Sequence, residues 1–213
     1  MCIRDSGTTI TESGGLVSQW ADKSGNLNHA TQSVGADQPS TGVNTLNSLN
    51  VVKFDADFMS FNSGISNIKS VIFVSNNLNG SFVNSNISPI ISDTVSSNYT
   101  FINVNTSDVN YDISIDGASS NTGNASVNGG SLVSGGNINL SQTDAENKAE
   151  NIWYADYDNA ITINDLATQT SASGAVLKGD IAEIILLDYV PTTEVRQKLE
   201  VYLQNKWNTP SLP

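Results

Sequence analysis

The longest hydrophobic run of the chain lies close to its C-terminal end, at residues 181–187. Nearly every position in this run is apolar, β-branched residues are common, and the run is short enough to be a single β-strand. A strand without polar alternation is typical of an element that is covered on both faces. The sequence therefore predicts a central, buried strand here.

A helix is predicted directly after this strand. Pro191 ends the extended segment, Thr192 or Thr193 can cap a helix, and Glu194 suits the positive end of its dipole. The following apolar residues recur at the spacing of one helical face: Val195, Leu199, Tyr202, Leu203 and Trp207. We expect one amphipathic C-terminal helix that packs this face against a sheet.

The rest of the chain alternates between short apolar or β-branched runs and polar turns. Asn and Ser make up roughly a quarter of the residues, well above average usage, and both favour turns. Residues 116–136 are especially rich in turn signals. Strands are predicted at residues 8–11, 16–20, 29–32, 50–54, 58–61, 68–74, 82–83, 89–92, 99–104, 111–115, 152–157 and 160–163. This pattern predicts an all-β, antiparallel fold that ends in one helix.

Charge and composition narrow the range of partners. The formal net charge of -12 disfavours nucleic acid and anionic membrane surfaces, because both would repel the protein. No apolar run approaches the length of roughly 18 residues that a membrane helix needs, so we expect no membrane insertion. With a single cysteine, Cys2, the chain has no disulfide framework.

The first residues differ in character from the rest. Residues 1–5 read Met-Cys-Ile-Arg-Asp, which resembles the translated end of a transposon adapter used in sequencing libraries. We therefore expect residues 1–6 to be non-native and residues 7–213 to form a single domain.

Two acidic turns offer oxygen ligands of the kind that Ca²⁺ prefers. The first contains Asp22, Ser24, Asn26 and Asn28, and the second is an expected hairpin turn that contains Asp55 and Asp57. The alternative for both turns is structural, because Asp and Asn side chains also bond to nearby backbone and stabilise turns. Asp22, Asn26, Asp55 and Asp57 are the metal candidates, and the structural interpretation is favoured.

Residues 153–158 form the most ligand-like cluster of the chain. Strand alternation groups Trp153 and Tyr157 on one face, and Tyr154, Asp156 and Asp158 on the other. The first face suits the core. The second face predicts either a sugar-binding surface, with an aromatic ring beside carboxylates, or ordinary solvated β residues.

Four segments together resemble the concanavalin A-like lectin and glucanase superfamily, in particular the laminin-G-like jelly rolls of bacterial and phage surface proteins. They are Trp-Ala-Asp-Lys-Ser-Gly-Asn-Leu-Asn-His-Ala-Thr-Gln at 20–32, Val-Val-Lys-Phe-Asp-Ala-Asp at 51–57, Lys-Gly-Asp-Ile-Ala-Glu-Ile-Ile-Leu-Leu-Asp at 178–188, and Tyr-Leu-Gln-Asn-Lys-Trp at 202–207. The resemblance implies a two-sheet antiparallel jelly-roll sandwich whose loops bind ligands. Such domains usually begin with a further strand that is absent here, so we expect an unpaired sheet edge.

The same resemblance raises the question of catalysis. Glucanases of this superfamily carry their carboxylates on one strand face in a Glu-x-Asp-x-Glu-like run, and here Asp112, Ser114 and Asp116 share one face. Because the middle carboxylate is replaced by Ser, we predict no catalytic residues. His29, the only histidine, lacks a nucleophile elbow to serve and is expected to pack or to bond within its turn.

These observations predict a non-catalytic carbohydrate-binding or adhesion module of a larger secreted, cell-surface or virion protein. Its expected partners are a glycan or polysaccharide and the neighbouring domains of the same chain, with Ca²⁺ as the one candidate cofactor. The first alternative is a structural spacer without a ligand. The second is a divergent glycoside hydrolase.

Overall fold

The computed structural model describes residues 2–4, 9–79, 87–93, 99–107, 110–116, 123–135, 137–142, 150–168 and 177–210. The described strands are β1 (Cys2–Arg4), β2 (Ile10–Ser13), β3 (Leu16–Trp20), β4 (Ala30–Thr31), β5 (Ser40–Leu46), β6 (Leu49–Asp55), β7 (Met59–Asn79), β8 (Ile87–Asp93), β9 (Tyr99–Ser107), β10 (Asn110–Asp116), β11 (Gly123–Val127), β12 (Val133–Gly135), β13 (Asn137–Gln142), β14 (Asn151–Leu166) and β15 (Lys178–Leu187). A single 3-10 turn spans Gly35–Asp37, and helix α1 spans Thr193–Trp207.

In two places, two strands that were predicted separately form one continuous strand in the structure. Residues 58–61 and 68–74 belong to β7, and residues 152–157 and 160–163 belong to β14. The two long strands pair with each other and stay together through three register shifts, which bend the pair. Strands β11 and β12 lie within residues 116–136, which the sequence had indicated as turns. The predicted strand at 82–83 lies outside the described residues.

Six of the described strands close an antiparallel ring in the order β15, β6, β5, β3, β4, β7 and back to β15. Strand β7 closes the ring because one of its edges pairs with β4 near its start and with β15 near its end. Its other edge pairs with β14, and β8, β9, β10 and β13 extend the sheet from there. The all-β antiparallel prediction with a C-terminal helix is confirmed, but this topology is a closed barrel with extra strands rather than a clear two-sheet jelly roll.

One further expectation was wrong. The connection at residues 56–58 is not a hairpin turn, because β6 pairs with β5 and β15 and not with β7. Separately, the backbone of β1 pairs antiparallel with Glu183, Ile184 and Ile185 of β15.

Strand β15 is buried on both faces, as its apolar sequence predicted. Ile184 and Leu186 lie in the main core, together with Trp20, while Ile185 lies in a second core beneath α1. This second core contains Leu203 and Trp207 of the helix and apolar residues from β7 and β14. The helix is therefore held against the outer face of β15, β7 and β14.

The ends of α1 match the sequence prediction, and its buried face matches in part, since Leu199 and Tyr202 also pack against the second core. Thr192 is the N-cap, and its hydroxyl accepts a hydrogen bond from Val195 N–H at 3.4 Å. The four buried residues of the helix are Arg196, Glu200, Leu203 and Trp207. Of the five apolar residues predicted to form the packing face, only Leu203 and Trp207 are fully buried. Two charged side chains of the helix, Arg196 and Glu200, are therefore also buried.

Candidate functional site

The turn that contains Asp22 is built by hydrogen bonds to its carboxylate. Asp22 accepts from Ser24 N–H at 2.8 Å, from the Ser24 hydroxyl at 2.8 Å and from Asn28 N–H at 3.1 Å. The Asp22 N–H in turn donates to His29 Nδ1 at 3.0 Å, so the expected turn hydrogen bond of the histidine is confirmed. Asn26 is exposed, and its N–H donates to the Ser24 hydroxyl at 3.3 Å. The Asp22 carboxylate thus accepts hydrogen bonds that stabilise its own turn.

Asp55 and Asp57 lie in the connection between β6 and β7. Asp57 accepts from Asp55 N–H at 2.9 Å, and the Asp55 carboxylate lies 3.0 Å from Lys178 Nζ. Partial burial raises the pKa of Asp57, and the nearby carboxylates of Asp55 and Asp37 raise it further. Lysine already supplies the positive charge here that a cation would bring.

Within the described ranges, no three Asp, Glu, His or Cys side chains are grouped closely enough to hold a metal ion. Asp22 and Asn26 lie between β3 and β4, whereas Asp55 ends β6 and Asp57 follows it. The two predicted cation turns are therefore separate, and each has its own structural hydrogen bonds.

The ligand-like cluster at residues 153–158 alternates as predicted, but its second face is not a surface. Trp153 and Tyr157 lie in the main core. Tyr154 is 3% exposed and Asp156 is 4% exposed, while Asp158 is exposed. Tyr154 and Asp156 therefore do not form the exposed aromatic platform that the sequence suggested. The reason is that α1 covers this face of β14.

Asp156 is held in place by several donors at the junction of β14 and β11. It accepts from the Tyr154 hydroxyl at 2.8 Å, from Asn124 N–H at 2.9 Å and from the Asn124 side-chain amide at 3.0 Å. Burial and the Asp156 carboxylate raise the pKa of the Tyr154 hydroxyl above its ordinary value. The carboxylate keeps the phenol protonated, so Tyr154 acts as a hydrogen-bond donor.

Helix α1 adds an ion pair to this cluster. Arg196 Nη1 lies 3.0 Å from Glu200 Oε1 and donates to the Ser126 hydroxyl at 3.1 Å. Its guanidinium carbon lies 5.4 Å from the centre of the Tyr154 ring, a cation–π distance. The sequence-based predictions did not include the Arg196–Glu200 ion pair. The available signal was the spacing of four residues between Arg and Glu, which is the same spacing that exposed helical ion pairs use.

A second buried carboxylate, Glu183 on β15, lies under the other end of α1. It accepts from the Tyr202 hydroxyl at 3.2 Å, from Lys206 Nζ at 2.9 Å and from Trp207 Nε1 at 2.8 Å. Glu183 and Trp207 belong to two of the segments that carry the family resemblance. In this structure they contact each other directly and fasten the helix to the sheet.

Strands β9, β10 and β13 bring a different set of polar residues together. Their register pairs Asp112 with Asn105 and Ser141, and pairs Ser114 with Asn103 and Asn139. Directly paired residues share a face of an antiparallel sheet. Alternate paired positions of the three strands are therefore polar in sequence, and we call these register positions the polar ladder: Asn103, Asn105, Asp112, Ser114, Asp116, Asn137, Asn139 and Ser141. Most of the paired positions that alternate with the ladder are apolar, although Tyr111 pairs there with Thr106 and Gln142; the apolar ones are Ile102, Val104, Ile113, Ile115, Ile138 and Leu140.

The predicted sharing of one strand face by Asp112, Ser114 and Asp116 agrees with the continuous strand β10. The sequence predicted β9 at residues 99–104 but not the register that pairs five Asn and Ser residues of β9 and β13 with these three. Strand β13 was not predicted at all. Its Asn-Ile-Asn-Leu-Ser alternation was the signal that could have revealed it.

Comparisons with known proteins add no assignment. No family model, no curated protein and no solved structure matches this chain. Separately, no helix in the described ranges has the length and apolar character needed to cross a membrane.

Proposed function

We propose that this chain is a non-catalytic carbohydrate-binding or adhesion module of a larger secreted, cell-surface or virion protein. The observation that carries the proposal is the polar ladder, which gathers Asp, Asn and Ser on one face of three paired strands. Sugar hydroxyls both donate and accept hydrogen bonds. Carboxylates accept, while Asn amides and Ser hydroxyls do both, so this set of side chains suits a polyhydroxyl ligand.

The opposite, apolar face supports the same proposal. Antiparallel sheets commonly pack their apolar face on a core and leave the polar face to water. By this rule we propose that the ladder, rather than the apolar positions between its members, is the side of these strands that meets a ligand. In finer terms, we propose that the strands form the two layers of a jelly-roll sandwich, in which the bent pair β7 and β14 passes from one layer to the other.

The state of the buried carboxylates favours binding over hydrolysis. Retaining hydrolysis needs two carboxyl groups roughly 5 Å apart, with one acting as an acid and the other as a nucleophile. Asp156, Asp180 and Glu183 each accept several hydrogen bonds from fixed amide, hydroxyl, indole or ammonium donors. These groups serve the fold. On the ladder, Ser114 separates the two Asp positions of β10.

A structural spacer is the second candidate, and one observation favours it. All three tryptophans, together with Tyr154 and Tyr157, are buried, so they offer no ring on which a sugar can stack. If the ladder binds nothing, its Asn and Ser residues serve only to keep that face soluble.

The test is a glycan-array screen of the intact chain, run in calcium and then in a chelator. Under this proposal a folded sample gives selective signals, and replacing the paired residues Asn105 and Asp112 by Ala abolishes them. The matched control is the double variant Thr45→Ala and Asn50→Ala, which removes two exposed polar residues paired between β5 and β6. This control should bind as the wild type does.

The outcomes separate the alternatives. Silence from a folded wild-type sample rejects glycan binding and favours the spacer. Binding that survives the ladder substitutions rejects the ladder as the site. Loss of signal in the chelator supports a calcium-dependent site, whereas indifference to the chelator removes Ca²⁺ from the proposal. Release of shortened glycan from the array would indicate a hydrolase.

A further inference from the structure

Helix α1 buries two carboxylates and one cation at its N-terminal half. Arg196 and Glu200 lie on the helix, and Asp156 lies on β14 beneath it. The charges of all three groups act on the Tyr154 hydroxyl between them. The cluster therefore holds two negative charges and one positive charge when every group is ionised.

The hydrogen-bond donors around these carboxylates are shared unequally. Asp156 accepts three hydrogen bonds, from Tyr154 and from the main chain and side chain of Asn124. Glu200 accepts one, from Arg196 at 3.0 Å, and its second oxygen, Oε2, is buried without a hydrogen-bond partner. Donors stabilise the ionised form of a carboxylate, and Glu200 has the fewer donors, so Glu200 is the group that we expect to take up a proton.

We propose that Glu200 is a proton-operated latch, which holds the N-terminal half of α1 more tightly on the sheet when it is protonated than when it is ionised. Protonation leaves one cation and one carboxylate, Arg196 and Asp156, so the buried charges balance. Ionisation adds a buried charge that has a single hydrogen bond. This carboxylate strains the docking of the helix, because burying a charge is costly unless it is well paired.

The direction of the pH effect follows from the burial of Glu200. Desolvation raises the pKa of Glu200, and the neighbouring Arg196 only partly opposes this shift. The folded protein then binds a proton at a pH where the unfolded chain has released it. Stability that depends on Glu200 is fully present below the ordinary glutamate pKa, and it is lost as the pH rises through the raised value.

Few other groups compete for this role among the described residues. The titratable or charged groups that act on Glu200 are Arg196 on its own helix and Tyr154 on β14, whose hydroxyl donates to Asp156, while β11 contributes the Ser126 hydroxyl that Arg196 contacts. Tyr154 stays protonated because burial raises its pKa.

The experiment measures hydrogen exchange of the α1 amides between pH 5 and pH 8, with each rate corrected for intrinsic exchange. It compares the intact wild-type chain with two variants. Glu200→Gln mimics the protonated side chain, and Glu194→Gln is the matched control, since Glu194 is an exposed carboxylate in the first turn of the same helix. A carbon-detected NMR titration of the Glu200 carboxyl group gives its proton uptake directly.

In the wild type, protection of residues 196–200 should increase as the pH falls. The increase should be about tenfold for each pH unit by which the pKa of Glu200 exceeds its unfolded value. Glu200→Gln should show high protection with no such slope, and Glu194→Gln should follow the wild type. The same slope in the wild type and in Glu200→Gln would overturn the proposal. So would a Glu200 carboxyl that titrates at or below the value of an unfolded glutamate.

Discussion

The two halves of α1 differ in how their buried carboxylates are hydrogen-bonded. A buried glutamate is present in each part: Glu183 lies on β15 under the C-terminal half, and Glu200 belongs to the helix itself, one turn after Arg196. Both oxygens of Glu183 are hydrogen-bonded, with donors from Tyr202, Lys206 and Trp207. Glu200 has one bonded oxygen and one that is bare. Burial is nearly equal at the two sites, so the number of donors decides how each carboxylate acts.

A buried charge can therefore either stabilise or destabilise the docked helix, depending on how many hydrogen bonds it makes. A fully bonded carboxylate resists removal, because its loss leaves several donors buried without an acceptor. A poorly bonded ion pair contributes little, and apolar residues of similar volume often replace such pairs without loss of stability. We expect Glu183 to stabilise the docked helix and the Arg196–Glu200 pair to contribute little net stability.

The largest expected effect comes from breaking the N-terminal pair on one side only. Arg196→Met leaves Glu200 buried without its cation and should destabilise the protein by about 3–5 kcal/mol at pH 8. Urea unfolding monitored by tryptophan fluorescence measures this change. The double variant Arg196→Met and Glu200→Leu should recover most of the loss. A double variant as unstable as the single one would show that the pair does stabilise the docked helix.

Removing the charge of Glu183 should have the next largest effect. Glu183→Gln retains an oxygen for Trp207 but weakens the bonds from Lys206 and Tyr202, so it should cost about 2–3 kcal/mol, given the strength of hydrogen bonds to charged groups. Thermal unfolding gives the comparison. Lys206→Met, which keeps two of the three donors, should cost less. Equal stability of Glu183→Gln and the wild type would refute the contrast between the two ends.

The cap of the helix tests whether its N-terminal half depends on local contacts. Thr192→Ala removes the hydroxyl that accepts from Val195 N–H, and should cost about 1 kcal/mol. Thr192→Ser keeps the hydroxyl and should restore most of the stability in the same denaturant titration. If both variants match the wild type, the contacts of the helix with the sheet, rather than its cap, hold this end.

The smallest effect is expected on the exposed side of the helix. Glu194 and Lys198 form an ion pair at 2.7 Å, with both side chains more than 70% exposed. Lys198→Gln should change the free energy of unfolding by at most about 0.5 kcal/mol, and the difference should vanish in concentrated salt. A change as large as that of Glu183→Gln would mean that exposure does not separate the two kinds of ion pair.

Local sequence patterns correctly predicted several elements. The apolar run at 181–187 identified β15 as a doubly covered strand, the alternation at 16–20 matched β3, and Thr192 capped α1 as expected. These features depend on neighbours within a few residues. Asp22 and His29 also formed the hydrogen bonds of their turn, because that turn closes over a short stretch of chain.

The tertiary structure decided which charged residues are buried and which surfaces remain open. The sequence predicted that Tyr154 and Asp156 form a binding face. In the structure α1, which follows almost forty residues later, covers them. Arg196 and Glu200, which the sequence did not single out, are buried because they contact Ser126 of β11 and Tyr154 of β14. The polar ladder needed the register of three strands. A local pattern reports the periodicity of one element, whereas burial and pairing depend on distant segments that the same pattern does not contain.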